Sequence, residues 1–292
     1  MAIRKILLPL AGVASARGAL STALMLAGRW GAHVHAFHVR TDTRDVAPLA
    51  GEGLSGAMIE EMMASTEKEG HSEARALAAL FEAETGARGI AVGAPVRAAD
   101  GAVRASSARF ESVIGREEEL VAGEARLSDL IVVPHPKSAE EVASADALHA
   151  VLFDSGRPAL IAPAGVPETI GARIAIAWNG TAESASAVAS VLPWLAEAEQ
   201  VRIFHSEDYQ RQGPGADRLA GFLELHGIAA EIAAFRAIDR SVGAGLLAAV
   251  TEYGADLLAM GAYSHSRLRQ LILGGVTRHV LEHATTAVLM NR

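Results

Sequence analysis

The sequence contains no cysteine in its 292 residues. This absence excludes disulfide scaffolds, thiolate nucleophiles and zinc sites built on cysteine, and it fits a reducing compartment. Basic residues are not in excess, since the formal net charge is −8, so we expect no broad surface for nucleic acid or for an anionic membrane. No stretch reaches the roughly 18 to 20 uncharged apolar residues of a membrane helix, and the first residues lack the apolar core of a signal peptide. We therefore expect a cytoplasmic protein.

What the sequence does contain is an internal repeat, and half of its residues are hydrophobic. Short β-rich runs in the first half recur in the same order in the second half. The matching segments are residues 4–12 with 172–180, 33–39 with 200–206, 128–134 with 255–261, and 150–164 with 279–292. The chain is therefore interpreted as two copies of one unit.

Each copy has the order strand, helix, strand, variable segment, strand, loop, helix, strand. Buried apolar strands that alternate with helices predict parallel crossovers and a doubly wound sheet flanked by helices. Prolines and glycines interrupt both periodicities at residues 163–171, which predicts domains at 1–165 and 170–292. The first copy carries an insert at about residues 41–85. Its stripe of Met58, Met62 and Met63 is interpreted as core or subunit contact rather than as a ligand site.

A glycine-containing loop follows the run "ADLLAMG" in the second copy. In a parallel α/β sheet, ligands bind beyond the carboxyl ends of the strands, which is where Gly261 falls. A glycine there lets a ligand approach the backbone. Gly274 and Gly275 then precede a predicted helix, whose first turn offers unpaired N–H groups and the positive end of the helix dipole. Geometry alone therefore favours a phosphate site, although a tight turn into a helix is the alternative interpretation.

At these residues the chain resembles the universal stress protein family in its tandem form. The resemblance rests on "WNGT" at residues 178–181, on "GAYSHSRLRQLILGGVTRHVL" at residues 261–281 and on the final "TAVLM". It implies two five-stranded, mainly parallel sheets of the adenine nucleotide alpha hydrolase-like fold. It also implies that the sheets associate through their last strands, "ALIAP" and "AVLM", because an exposed apolar edge strand needs a partner. The insert is the expected route to any further homodimer.

Nucleotide-binding members of this family have a loop of glycine, two residues, glycine, nine residues, glycine and a serine or threonine, with an aspartate after the first strand. Here Gly261 and Gly274 match, whereas Ser264 replaces the second glycine, Gly275 the hydroxyl residue and Asn179 the aspartate. The backbone N–H groups of the glycine pair remain. The resemblance therefore implies a weakened adenine nucleotide site, for ATP or AMP. Its residues would be Asn179, Met260, Gly261, Ser264, Gly274 and Gly275.

The first copy lacks the equivalent donors. Ala11 stands at the place of the aspartate and Pro134 at the place of the first glycine, and residues 135–150 contain no glycine. We expect this half to be a degenerate structural partner that binds no nucleotide.

Three functions follow from the resemblance, and the sequence leaves them open. The first is a stress-response accessory protein that binds an adenine nucleotide in its second half. A second is a universal stress protein that acts through protein contacts without a nucleotide. The third is slow ATP hydrolysis, which we rank last because no base or Mg²⁺ carboxylate is evident near the loop.

Other constellations point to no catalytic set and no metal site. His33, His35 and His38 lie along one predicted strand, and alternation puts the first two on one face. We interpret this pair as a surface or hydrogen-bonded feature. His279 and His283 have the spacing of two zinc ligands, but Val280 occupies the place of the catalytic glutamate of a zinc protease motif. The sequence also lacks the dinucleotide, P-loop and nucleophile-elbow motifs.

Overall fold

A computed structural model describes residues 3–42, 55–95, 105–136, 146–208, 213–262 and 275–292 of the chain. The strands are β1 (Lys5–Pro9), β2 (His33–Arg40), β3 (Ala91–Val92), β4 (Ser107–Ile114), β5 (Leu130–Val133), β6 (Ala159–Ile161), β7 (Arg173–Ala177), β8 (Gln200–Ser206), β9 (Glu231–Phe235), β10 (Leu257–Gly261) and β11 (Ala287–Asn291). The described helices are α1 (Val13–Trp30), α2 (Gly56–Ala87), α3 (Glu117–Ala125), α4 (Asp146–Ala150), α5 (Ala182–Leu195), α6 (Ala216–Glu224), α7 (Val242–Tyr253) and α8 (Gly275–His283). A π-helical turn, Val151–Ser155, continues α4.

All described strands belong to one sheet, in the order β3-β4-β2-β1-β5-β6-β11-β10-β7-β8-β9. Within each half, β1 and β7 are central, and the second, third, fourth and fifth strands of the repeat take equivalent places around them. The doubly wound, mainly parallel α/β fold is therefore confirmed. The first half carries one additional strand, the two-residue β3, which pairs with β4 beyond the expected five.

The two halves join through their last strands, as expected. Strand β6 pairs antiparallel with β11, with Leu160 opposite Leu289, whereas the other strand pairs are parallel. Both strands are buried along this junction, and pairing satisfies backbone groups that would otherwise stand at two open edges. The sheet is therefore continuous across the chain.

Two hydrophobic layers cover the two faces of this sheet, and each layer runs through both halves. One is formed with α1, α2, α5 and α6, and the other with α3, α4, α7 and α8. The first layer contains a contact between helices of different halves, an edge-to-face pair of Trp30 and Trp194 with ring centroids 4.6 Å apart. On the same side, Arg29 forms an ion pair with Glu197 at 2.8 Å. The halves therefore pack through side chains as well as through the sheet.

The insert forms the long helix α2, which Ser55 caps by accepting a hydrogen bond from the backbone N–H of Met58. Its C-terminal part packs against the sheet through the buried Leu77 and Phe81. The methionine stripe does not share that burial, since the side chains of Met58 and Met62 are 50% and 41% exposed. Of the two alternatives, core and subunit contact, the first is therefore wrong for Met58 and Met62. Subunit contact stays a prediction.

Within the described part of the chain, we find no helix with the length and apolar character to cross a bilayer.

Candidate functional site

The predicted nucleotide site falls at the carboxyl ends of β7 and β10, which are neighbours in the sheet. Met260 pairs with Ala177 in register, so Trp178 and Gly261 follow at the same edge of the sheet. The side chain of Met260 is buried in the core, with 4% exposure. Only its backbone therefore faces this edge. Ser264 and Gly274 lie outside the described residues.

Asn179 begins the turn that leads from β7 into α5. Its side-chain oxygen accepts hydrogen bonds from the backbone N–H and the hydroxyl of Thr181, at 3.2 and 2.9 Å. The Thr181 hydroxyl in turn caps α5 by accepting from the N–H of Ser184. The Asn179 oxygen, which the resemblance places at a nucleotide, thus accepts its hydrogen bonds from Thr181. Helix capping is therefore one established role of this turn.

Gly261 is close to the protein's own backbone. A Cβ built on Gly261 would lie 2.6 Å from the carbonyl carbon of Glu183 and from the N–H nitrogen of Ser184, at the start of α5. The glycine therefore allows β10 and α5 to pack closely. The sequence suggested close approach by a ligand, whereas on the Cβ side the approaching group is the first turn of a helix.

Gly275, at the start of α8, has the opposite surroundings. It is exposed, and no atom of the described residues lies within 4 Å of the position that its Cβ would take. The start of a helix has N–H groups without intrahelical partners and attracts negative charge. Of the four predicted residues that the structure describes, Gly275 has the open space that an anion would need.

A cleft of about 330 Å³ opens at the carboxyl ends of β7 and β8. That volume is in the range of small-molecule sites, at roughly 300 to 1,000 Å³. Its lining residues are Trp178, Asn179, His205, Ser206, Gly213, Pro214, Gly215, Ala216, Asp217 and Ile232. We call it the C-terminal cleft. Among the described residues, Asn179 is the one predicted site residue in its wall.

Two turns rich in glycine hold the C-terminal cleft together. The indole N–H of Trp178 donates to the carbonyl oxygen of Pro214 at 2.8 Å. A Cβ on Gly213 would lie 2.2 Å from the carbonyl oxygen of Gly180, whose own φ is +78°. Glycine is needed at both places, since a side chain would collide at the first and strain the backbone at the second. This wall was not predicted from the sequence, although the Gly-Pro-Gly run after β8 was a visible signal of a tight loop.

The equivalent edge of the first half has different chemistry. Ala11 is exposed, and a Cβ on the neighbouring Gly12 would lie 3.2 Å from a carboxylate oxygen of Glu73 on α2. A carboxylate beside this turn repels an anion. Pro134 follows directly after β5, at the place in the repeat that Gly261 holds in the second half, and it has no N–H to donate.

The three histidines of β2 are buried. The Nδ1 atom of His33 lies 2.9 Å from the hydroxyl of Ser107, and that of His38 donates to the carbonyl oxygen of Leu10 at 2.7 Å. The sequence left two alternatives for His33 and His35, a surface pair or a hydrogen-bonded pair, and the structure shows the second. Sequence separation hid their partners, since β4 supplies Ser107 from 74 residues away.

His35 lies between two carboxylates and a guanidinium. Its Nε2 atom is 2.9 Å from Glu111, and its Nδ1 atom is 3.3 Å from Arg109 and 3.4 Å from Glu124. Burial, followed by the charge of Arg109, lowers the pKa of His35. A neutral ring fits the contacts, because Nε2–H can donate to Glu111 while Nδ1 accepts from Arg109.

Burial also lowers the pKa of His33 from 6.5 to about 4, with further contributions from Arg109, His35 and Lys5. Both rings therefore remain neutral near pH 7. The group is a buried polar network that stabilises the contact between β2 and β4.

His279 and His283 do not converge on a common point. Their rings stack with centroids 4.2 Å apart and an interplanar angle of 13°. The Nδ1 atom of His283 donates to the carbonyl oxygen of His279. Across the six described ranges, no group of three or more histidine, aspartate or glutamate residues has the geometry to hold a metal ion.

Comparison with known proteins agrees with the fold. A universal stress protein from Archaeoglobus fulgidus shares 14% identity, covers 99% of this chain and 98% of its own, and superposes with a TM-score of 0.66. A Pseudomonas aeruginosa protein provisionally assigned to the same family shares 15% identity, covers 99% and 93%, and has a TM-score of 0.55. At these identities the likeness shows the fold alone.

A shorter universal stress protein, solved in complex with cAMP, shares 15% identity over 56% of this chain and all of its own. Its TM-score of 0.31 is too low to support an argument about the present site. A comparison with curated protein sequences gave no match. The model of the universal stress protein family, in contrast, matches residues 173–292, which span β7 to the end of β11. The C-terminal half of this chain is therefore a domain of the universal stress protein family.

Proposed function

We propose that the C-terminal half binds an adenine nucleotide, ATP or AMP, as an accessory protein of a stress response. The C-terminal cleft would hold the base and ribose, and the N–H groups at the start of α8 would face the phosphates. The observation that carries this proposal is the cleft of about 330 Å³ at the carboxyl ends of β7 and β8. It opens next to the point where the strand order reverses, because the chain passes from β7 to β8 on one side and returns as β10 on the other.

The chemistry of the wall supports a nucleotide. Trp178 and Ile232 supply apolar surface for a base, while His205 and Ser206 supply polar atoms beside it. Around Gly275, at the start of α8, the described residues leave open space, which an anion at the first turn of the helix would need. We expect weak binding, at roughly 10 to 500 μM, since Asn179 is already bonded to Thr181 and adds no charge.

The same observations favour a second candidate, a universal stress protein that acts without nucleotide. The Asn179 oxygen is bonded within its own turn, and Gly261 is covered by α5 on its Cβ side. In that case the cleft would have no nucleotide, and the protein would act through contacts with other proteins. We do not propose catalysis.

We propose further that the chain is a tandem protein with domain boundaries at 1–165 and 170–292, located in the cytoplasm. The shared strand order of the halves supports the duplication, and the absence of cysteine supports the compartment. The first half would be the partner that binds no nucleotide.

Calorimetric titration of the whole chain with ATP and AMP tests the proposal. We expect one site per chain and loss of at least tenfold in affinity in Gly275→Val, because the new side chain enters the open space at the start of α8. The matched control is Gly123→Val in α3, where the Cβ also meets nothing within 4 Å. This control should bind normally.

Native mass spectrometry of the purified protein gives an independent measurement of any co-purified nucleotide. A phosphate-release assay on the same sample detects turnover. Absence of heat at millimolar nucleotide, together with an empty protein by mass, would refute nucleotide binding and leave the second candidate.

A further inference from the structure

A second cleft lies in the first half, between α2 and the carboxyl ends of β2 and β4. It has a volume of about 570 Å³ and is lined by Arg40, His71, Ala74, Arg75, Ala78 and Ser112. We call it the basic cleft, because its described lining residues include two arginines and a histidine but no acidic side chain. It is separate from the C-terminal cleft in both sequence and fold.

Two residues that line the basic cleft, and one residue beside them on the sheet, have buried polar atoms without a hydrogen-bond partner. Among the described residues, these include the Nε atom of Arg40, the hydroxyl oxygen of Ser112 and the Nε2 atom of His38. His38 and Ser112 are opposite each other in the register of β2 and β4. Arg40 follows two residues after His38, so the three side chains share the sheet face that α2 covers. Buried polar groups are nearly always hydrogen-bonded, so three together indicate a missing polar partner.

Among the described residues, no carboxylate neutralises the positive charge at the basic cleft. Within the described ranges, neither Arg40 nor Arg75 has a carboxylate within salt-bridge distance. One terminal nitrogen of Arg40 contacts the His71 ring at 3.2 Å, and the Nε of Arg75 donates to the His71 carbonyl oxygen at 3.3 Å. The carboxylate of Glu67, near the rim, is 3.8 Å from His71 and well exposed. The net charge of the chain is −8, so two guanidinium groups at one cleft with no carboxylate partner among the described residues are unusual.

We propose that the basic cleft binds a small oxyanion, meaning the phosphate or carboxylate group of a small molecule. A guanidinium group is suited to such oxygens because its N–H donors form a planar fork. Arg40 would donate from its free Nε, Ser112 would donate its hydroxyl, and Arg75 would lie at the mouth. This site is independent of the proposed nucleotide site, which lies in the other half.

His38 adds a constraint on what accompanies the anion. Its Nδ1–H donates to Leu10, so Nε2 of the neutral ring has a lone pair that accepts a hydrogen bond. A protonated phosphate or a ligand hydroxyl satisfies this acceptor, whereas a bare carboxylate does not. We therefore expect phosphate to bind more tightly than acetate.

The test uses the whole chain with sodium phosphate, sodium acetate or sodium chloride at matched ionic strength. Hydrogen–deuterium exchange read by mass spectrometry locates the response. Phosphate should slow exchange in peptides of α2 and β4, acetate should do so more weakly, and chloride should not. Protection near α8 would report the other site, and Gly275→Val should leave the response of α2 unchanged.

Two variants test the named donors. Arg40→Gln should weaken the binding of phosphate by about tenfold or more, the usual effect of losing a charged hydrogen bond. Arg17→Gln on α1 is the matched control, since it removes the same charge from the same half at a side chain that is 70% exposed. Ser112→Ala should also weaken binding. Without phosphate it should unfold at the same or a higher urea concentration than wild type, because it removes a buried hydroxyl that has no partner.

Three results would overturn the proposal. One is equal protection of α2 by chloride, which means general screening of charge. Another is equal phosphate affinity in Arg40→Gln and Arg17→Gln. The third is a loss of stability in Ser112→Ala without phosphate, which means that a trapped water already satisfies the hydroxyl. This third measurement keeps the proposal testable if Arg40→Gln does not fold.

Discussion

The two halves share a strand order, yet they differ at the carboxyl edge of the sheet, where ligands bind in such folds. In the C-terminal half, Gly180 and Gly213 bring two turns into contact and leave a cleft beside β7 and β8. In the first half, Glu73 approaches the equivalent turn, and Pro134 follows β5 at the place that Gly261 holds in the second half. The polar side chains that lack partners in the first half, such as Arg40 and Ser112, lie instead beside α2. The same topology therefore allows different sites. The loops and the inserted helix α2 determine where polar atoms remain without a partner.

The largest expected effect tests whether the halves are separate units at all. Trp194→Ala should lower the free energy of unfolding by about 3 to 5 kcal/mol, since the ring is fully buried and packs on Trp30 of the other half. Urea unfolding followed by far-UV circular dichroism measures it. We expect a single transition that shifts as a whole.

The control for Trp194→Ala is Leu225→Ala, in the same half at a side chain that is 86% exposed. Its effect should be within about 0.5 kcal/mol. Two transitions, of which only one responds to Trp194→Ala, would show that the halves unfold independently.

A second prediction uses acid to weaken the first half. The pKa of His33 is about 4 in the folded protein, whereas its ordinary value, expected in the unfolded chain, is 6.5. On acidification the unfolded chain takes up the proton first, so stability is complete above pH 6.5 and is lost as the pH falls towards 4. The loss due to His33 is at most about 3 kcal/mol. The lowered pKa of His35 acts in the same direction.

Urea unfolding at pH 7.5, 6, 5 and 4 measures this loss. His33→Gln keeps a side chain that can bond to Ser107, and it should flatten the pH dependence. His226→Gln, at an exposed histidine of the other half, should not. Equal slopes for both variants and wild type would contradict the assignment of acid sensitivity to β2.

The third prediction compares the residues at the carboxyl ends of β10 and β5, which are equivalent strands of the two halves. Gly261→Ala should cost about 1 to 3 kcal/mol, because its Cβ would lie 2.6 Å from the backbone of α5. Pro134→Ala, at the equivalent place in the first half, should cost less, since a pyrrolidine ring already fits there. If Gly261→Ala were as mild as Pro134→Ala in thermal unfolding, the close packing of β10 on α5 would be disproved.

The smallest expected effect concerns the charged contact between the halves. The Nε atom of Arg29 lies 2.8 Å from Glu197, and a terminal nitrogen of Arg29 donates to the carbonyl oxygen of Ile170 at 2.7 Å. A double-mutant cycle of Arg29→Gln and Glu197→Gln should give a coupling of about 0.2 to 1 kcal/mol that decreases with salt. The same cycle on Arg278 and Glu282, a pair within α8, gives a reference. A coupling of zero for the first pair would leave the aromatic contact as the main link between these helices.

Much of the fold could be predicted from the repeat. Strand β8 begins and ends at the expected residues, and the pairing of β6 with β11 follows from two apolar strands that each need a neighbour. Periodicity did not predict the exposure of Met58 and Met62 on α2. It identifies an apolar face of a helix, but not whether the core covers that face.

The sites were harder to predict for a physical reason. Their chemistry depends on contacts between residues far apart in sequence. Ser107 and Glu111 reach the histidines of β2 from more than 70 residues away. Arg40 and Ser112 become neighbours of one cleft only when β2 pairs with β4. Gly261 shows a different error. The sequence correctly indicated that a glycine is needed there for close approach, but the group that approaches on the Cβ side is helix α5 rather than a ligand.

The place of β11 in the sheet has a consequence for biosynthesis. This strand is the last in sequence but lies near the middle of the eleven, between β6 and β10. Until residues up to Asn291 have left the ribosome, β6 and β10 of the nascent chain are apolar edge strands without a partner. Chaperone binding during translation would therefore be expected to concentrate on that gap, and a chain that stops just before β11 would be prone to aggregate.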